Sequence, residues 1–425
     1  MEVEMLQQSY EKHWKHICDM KGNIWVINQF AGKPTSGWGE RHYYFSKYWI
    51  QKGYQVTIVS GSYNHVFNEL PDAPNQFNFE IVDETNFCWV KTPKYNPQSI
   101  LRFWSFLVFA FKIYFLPVSK MGRPDIIIVS SMPIFPILTG YWLKLRYKSR
   151  ALFFEIRDIW PLTLILLGDV SKNHPAVKLI GWFERFGYRK ADRIISLLPN
   201  AAKHLEDVAQ ASDKFHYIPN GLDEFVLQKE EARFGDIDKI PKGRFLIGYT
   251  GTIGLANALE YFVEAAGVLK EDNRFYFIVI GEGYLKDNLI KSSESFGNIL
   301  FLPKVRKNQV AAYLNRFDVC FVGRNNSPLF QHGVSANKYF DYMLAGKPIL
   351  DSNNLIKDPV ELSGCGIIVE PDSTEAIVKG IYQLFEMSDD QRLQMGLLGY
   401  NYVKKHHSIE HLSSEYIALF EAFQE

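Results

Sequence analysis

The chain has 425 residues, 47% of them apolar, and a formal net charge of zero. That length exceeds one ordinary core and suits two domains of about 200 residues each. Zero net charge argues against a dedicated nucleic-acid binder. The charge is unevenly spread. Between Thr85 and Arg150 ten bases face a single acid, Asp125, which points to an anionic ligand or surface there, or to a solvated basic face. Cys18, Cys88, Cys320 and Cys365 have no metal or redox spacing, and so few thiols predict a reduced, cytoplasmic protein. Met1 to Tyr10 is polar and reads as no signal peptide.

In chain order, apolar runs alternate with helical patterns, which predicts α/β architecture with parallel sheets. Strands are expected at 23–29, 55–61, 125–131, 151–158 and 193–199, with helices such as Glu40–Lys52 and Ala176–Lys190 between them. The segment 214–223 adds a strand and a Pro-Asn-Gly turn. "FWSFLVFAFKIYFLPV", 103–118, holds a lysine, ends at a proline and falls short of the ~20 apolar residues a span needs. It predicts a buried or interfacial helix. Charged "FVLQKEEARFGDIDKIPKGR", 225–244, reads as a linker. The grammar then restarts with strands at 245–254, 274–283, 298–303, 319–323, 348–352 and 366–371. The expected domains are 1–225 and 226–407, with a last helix, about 408–425, packing back on the first. Two Rossmann-like domains facing across a cleft would bind ligand outside the carboxyl ends of their strands.

Four stretches carry candidate chemistry. In "FLIGYTGTIGLANALEYFVEAA", 245–266, a strand runs into Gly248, Gly251 and Gly254 and then a helix, which suits a diphosphate or a tight structural turn. "VIGEG", with Gly281, Glu282 and Gly283, offers backbone on which a base would rest, or an ordinary turn. In "GVSANKYFDYMLAGKPIL", 333–350, Ser335 is placed to cap a helix whose free N–H groups, from Ala336 and Asn337 onward, would hold phosphate. Asp341, about 8 Å further along the axis, would accept a ribose's hydroxyls, or pair with Lys338 three positions earlier. In "EIRDIWP", Asp158 at a strand end would contact a sugar, as an acceptor's hydroxyl or as the donor's, and Arg157 a phosphate, or the two form a pair fixing the loop; Glu155 reads as structural. His42, His65, His216 and His332 have no carboxylate or thiol at ligand spacing, so no metal is expected.

"SANKYFDYMLAGKPIL" resembles the nucleotide-sugar helix of the family 4 glycosyltransferases, with its acidic residue, Tyr-Met and Ala-Gly-Lys-Pro. "SGWGERHYYFSKYWIQKGYQVTIVSG" resembles their Gly-rich acceptor loop, "YIPNGLD" their domain crossover, "YTGTIGLANALEYFVEAA" their donor-domain turn and "VIGEG" their Val-Gly-acid-Gly. "EIRDIWPLTL" is similar to an element of the subgroup that builds surface polysaccharide, such as O-antigen or capsule, from amino-sugar donors. The resemblance runs over about 23–420. It implies a GT-B fold, a retaining and metal-independent transfer with no cofactor, and a UDP-type donor carrying an N-acetylated amino sugar. The acceptor would be a saccharide or lipid-linked saccharide. Asp341 would bind ribose, Gly251, Thr252 and Gly254 the diphosphate, and Gly281, Glu282 and Gly283 the base. Gly37, Trp38 and Gly39 would close over phosphate and acceptor. Two departures follow. The first of the family's two glutamates falls on Gly333, and the basic pair after the donor turn is replaced by "TIGLANAL". The leaving diphosphate then needs helix dipoles, Lys338 or Arg324. A lipid acceptor would give the aromatic, basic stretch 99–123 a use at the inner face of the membrane, although internal packing explains it equally. A GT-B epimerase and a non-catalytic sugar-nucleotide-binding subunit are the alternatives.

Overall fold

The computed structural model describes residues 21–96, 99–222 and 236–424. The earlier part of the expected linker lies outside them, and its end forms a short 3-10 turn, Ile237–Lys239. The chain divides into two compact units, one reaching to Ile218 and including Leu412–Glu425, the other Pro219–His411.

The first unit is built on β1 (Gly22–Ile27), β2 (Tyr54–Gly61), β3 (Phe77–Val82), β4 (Thr85–Val90), β5 (Ile126–Ser130), β6 (Ala151–Ile156), β7 (Arg193–Ser196) and β8 (Phe215–Tyr217). Their order is β3-β4-β2-β1-β5-β6-β7-β8. Only β3 runs antiparallel to its neighbour. The central strands are apolar runs buried on both faces, which parallel sheets require because crossover helices cover each side. The order reverses between β1 and β5, and the loops that follow β1 and β6 carry the unit's candidate residues. Helix Arg41–Gln51 covers one face together with the terminal helix Ile409–Glu421: Trp49 lies 5.1 Å from Tyr416 and 5.2 Å from Phe420, ring to ring. Helices Leu101–Lys112, Pro136–Tyr147 and Pro175–Lys190 cover the other, as right-handed crossovers from β4, β5 and β6 demand.

The second unit holds β9 (Phe245–Thr250), β10 (Phe275–Ile280), β11 (Ile299–Leu302), β12 (Val319–Gly323), β13 (Ile349–Ser352) and β14 (Gly366–Val369), in the order β11-β10-β9-β12-β13-β14, all parallel. Its order reverses between β9 and β12. Phe262 stacks 4.4 Å from Phe321 and meets Phe277 edge-on at 5.1 Å, joining the helix Leu259–Val268 to both strands.

Every strand expected from the apolar runs is present. The hairpin β3–β4 has no counterpart in the sequence reading, and the cause is local. Its two-residue turn is Asp83-Glu84, both with positive φ (44° and 69°), where Gly or Asn would normally announce the turn. The Tyr43 hydroxyl donates to the Asp83 carboxylate and helps hold this turn. β3 also leaves Phe79 and Ile81 exposed, as an edge strand covered on one side does.

Candidate functional site

The second unit's site is organised by helix Asn337–Leu344. Tyr339, Phe340, Tyr342 and Met343 face the core and fix its rotation. The Tyr342 hydroxyl accepts from the Thr250 backbone N–H at 2.7 Å, which anchors the helix to the carboxyl end of β9. Gly346, at φ 63°, ends it before Pro348. Ser335 is not its cap. The N-cap position is Ala336, with no side-chain capping bond, and the Ser335 Oγ accepts instead from the Asn220 backbone N–H at 3.3 Å. That bond ties the Pro-Asn-Gly turn to the start of the helix. Gly333, just upstream, has φ 89°, a conformation a glutamate would adopt only under strain.

Lys338 and Asp341 do not pair. Lys338 turns toward the loop after β9, where its Nζ donates to Asn257 Oδ1 at 2.7 Å and to the Tyr249 hydroxyl at 3.0 Å, and sits 4.4 Å from the Tyr249 ring centroid. Its Cε would lie 3.4 Å from a Cβ placed on Gly251. Arg324, directly after β12, is buried beside it and stacks on Phe330 at 5.5 Å. Burial first, and then the charge of Arg324, push the Lys338 ammonium well below its ordinary range, with Asp351 opposing. Neither cation forms an ion pair among the described residues. Two crowded cations at the carboxyl ends of β9 and β12 favour an anion.

Asp341 is held by Lys307, whose Nζ lies 2.5 and 2.6 Å from its two oxygens. The carboxylate is 11% exposed and the lysine 41%, so the acid is fixed while its partner stays open to water.

The glycine loops after β9 and β10 are zipped together. Gly251 N–H donates to the Ile280 carbonyl and Ile253 N–H to the Glu282 carbonyl, both at 2.9 Å. A Cβ on Gly281 would stand 1.8 Å from the Gly251 carbonyl oxygen, so close backbone approach requires this glycine. Gly283 faces Ile253, and Glu282 is exposed and paired with Lys286 at 2.7 Å. The turn does not run straight into a helix. After Thr252 and Gly254 comes a 3-10 turn, Leu255–Asn257, and the helix begins at Leu259 behind left-handed Ala258.

In the first unit, Gly37, Trp38 and Gly39 lie on the loop after β1, and the Trp38 ring sits 5.8 Å from the Arg157 guanidinium. The structure thus brings the acceptor-loop candidate to the strand-end pair. Asp158 is solvent-exposed, and partial desolvation by the surrounding chain raises its carboxyl against the opposing charge of Arg157. Behind them Glu155 is fully buried. It takes Arg41 Nε at 3.1 Å, His42 Nε2 at 3.1 Å, Ser130 Oγ at 2.7 Å and the Tyr416 hydroxyl. Burial opposes its ionisation, but Arg41 and His42 outweigh that and hold it well below the usual carboxylate range. His42 therefore has a carboxylate partner that sequence spacing did not reveal.

Comparison with known proteins follows this division. Residues 36–224 match the family model described as Glycosyltransferase Family 4, and 244–387 that described as Glycosyl transferases group 1. The chain belongs to the family 4 glycosyltransferases. WbjE of Pseudomonas aeruginosa, a named glycosyltransferase, is 25% identical over 383 residues, covering 86% of this chain and 90% of its own. WcaI of Escherichia coli (strain K12), named for colanic acid biosynthesis, is 24% identical over 311 residues, covering 70% and 75%. Among solved structures, sucrose-phosphate synthase of Thermosynechococcus elongatus superposes with TM-score 0.71 at 15% identity, covering 94% of this chain and 98% of its own. Anabaena Alr3699/HepE in complex with UDP and glucose gives 0.63 at 12% identity, covering 94% and 100%. The fold of this glycosyltransferase is GT-B.

Some groups that surround the candidate residues escaped the sequence reading. Tyr249 and Asn257 bracket the Lys338 ammonium, and Lys307 holds Asp341, yet each stands far from its partner in sequence. Asp351, on β13, is another. Burial first, then the neighbouring charge of Asp358, raise its carboxyl well above the ordinary range. The folded chain therefore keeps a proton that the unfolded chain releases above an ordinary aspartate pKa. Stability from this group is present at acid pH and is lost as pH rises toward the raised value. Asp351→Asn is expected to flatten that decline, with an unchanged or higher Tm at neutral pH. Melting curves from pH 4 to 8 check it.

Proposed function

We propose that this family 4 glycosyltransferase moves a sugar from a UDP-type sugar nucleotide to a saccharide or lipid-linked saccharide, with retention at the anomeric carbon. The sugar is an N-acetylated amino sugar and the product a surface polysaccharide. The observation that carries the reading is the Lys338–Arg324 pair beside Gly251, two basic groups that form no ion pair among the described residues. They supply the countercharge a departing diphosphate needs without a metal ion. Asp341 takes the ribose hydroxyls in exchange for Lys307. In the first unit Asp158 meets the acceptor hydroxyl and Arg157 the phosphate, and the diphosphate's own oxygen helps take the acceptor proton. The amino-sugar assignment rests on "EIRDIWP", the polysaccharide role on that element and on the name of WcaI.

A thermal-shift screen with UDP, GDP, ADP and dTDP sugars tests the donor. UDP sugars are expected to raise Tm; at 100 Kd the stabilisation is about 2.7 kcal/mol. Asp341→Ala is expected to abolish the shift. A mutant shift equal to that of the parent would remove Asp341 from the site. Release of UDP only when acceptor is present separates transfer from epimerisation and from mere binding.

A further inference from the structure

We propose that the outer face of the three helices Leu101–Lys112, Pro136–Tyr147 and Pro175–Lys190 docks on an anionic lipid bilayer. The sequence points only to 99–123; the fold joins that stretch to two further helices. Trp104, Phe111, Phe115, Trp142, Leu145 and Trp182 are between 36 and 63% exposed. Ring contacts tie neighbouring elements of the face together. Phe111 meets Phe115 at 5.4 Å, Tyr114 meets Trp142 at 5.0 Å, and Tyr141 meets Phe186 at 5.5 Å, which stacks on Trp182. Water gains nothing from so many aligned apolar side chains, and such patches mark interaction surfaces.

Charge selects the occupant. The three helices carry Arg102, Lys112, Arg146, Lys178, Arg185, Arg189 and Lys190, besides Lys144, which pairs with Asp192 just beyond them, and one acid, Glu184. Glu184 is buried, 2.7 Å from His204 and accepting from the Tyr188 hydroxyl at 3.0 Å. Arg146 lies over Trp142 at 4.8 Å and Lys190 over Tyr141 at 5.5 Å, so cationic heads sit beside the rings. Aromatic bodies at acyl-chain depth with bases at phosphate level is the arrangement of an interfacial surface. A second copy of the chain would set like charges against each other. Among the described residues no helix is long and apolar enough to cross a membrane, so the contact lies on the bilayer surface.

Flotation of the full chain with vesicles tests this. With phosphatidylglycerol mixed into phosphatidylcholine the protein is expected to float; with phosphatidylcholine alone, or in high salt, most of it stays below. Trp104→Glu with Phe111→Glu is expected to weaken binding roughly tenfold or more. Lys112→Glu with Arg146→Glu should do the same without removing an apolar side chain. Leu393→Glu, exposed on the second unit, should bind as the parent does. Melting curves confirm that each variant is folded. Absence of flotation in the parent, equal flotation of folded variants, or a dimer in sedimentation that these substitutions dissociate would each overturn the proposal. The surface argument is independent of donor chemistry, so its failure would leave sugar transfer standing.

Discussion

Asp158→Asn is expected to lower kcat for sugar transfer by about 10²–10⁴-fold, the usual worth of a positioned proton-accepting group, while leaving UDP binding close to that of the parent. The carboxyl stands at the end of β6, raised by desolvation against the pull of Arg157. A carboxylate above its ordinary range accepts a proton more readily from a sugar hydroxyl at neutral pH. The same shift sets the pH dependence. Activity that needs the ionised form is present above the raised pKa and falls as pH drops through it. The acid limb of the parent's profile should therefore lie above an ordinary aspartate's, and the asparagine variant should lose that limb along with its rate. Equal rates in a folded variant would make Asp158 a loop-fixing partner of Arg157 and nothing more.

Lys338→Met has the second large effect, a loss of about 10²–10³-fold in kcat together with weaker donor binding. The methionine stem keeps the packing against Tyr249 and removes the charge. Arg324 then remains alone to meet the diphosphate. Because burial and Arg324 depress the Lys338 ammonium, the parent's affinity for UDP should fall as pH rises through that lowered pKa. A bound diphosphate restores the proton, so binding takes one up. The variant's affinity should lose this dependence.

Much of this fold is legible in the residues, for a physical reason. Parallel strands buried on both faces must be largely apolar runs, and "IIIV", "ALFF", "FYFIVI" and "VCFVG" are. The β3–β4 hairpin stays hidden because Asp83 and Glu84 adopt left-handed backbone without glycine, stabilised by Tyr43 from another element. The site divides the same way. The Asn337–Leu344 helix, Lys338 and Arg324 are visible as types and spacings. Which partner each group takes is not. Helical spacing allows Lys338 to meet Asp341, but Tyr249 and Asn257 draw the lysine one way and Lys307 draws the acid another. Ser335 reads as a cap until Asn220 claims its hydroxyl. Glu155 is hidden for the same reason, since Tyr416 arrives from the far end of the chain.

Isothermal titration of UDP into the parent and into Lys338→Met, across neutral to alkaline pH, tests the central claim most directly. The account predicts saturable UDP binding by the parent that weakens with rising pH and takes up a proton, and binding at least about tenfold weaker, with no such proton, in the variant. Equal affinity and equal proton uptake in the two proteins would contradict it.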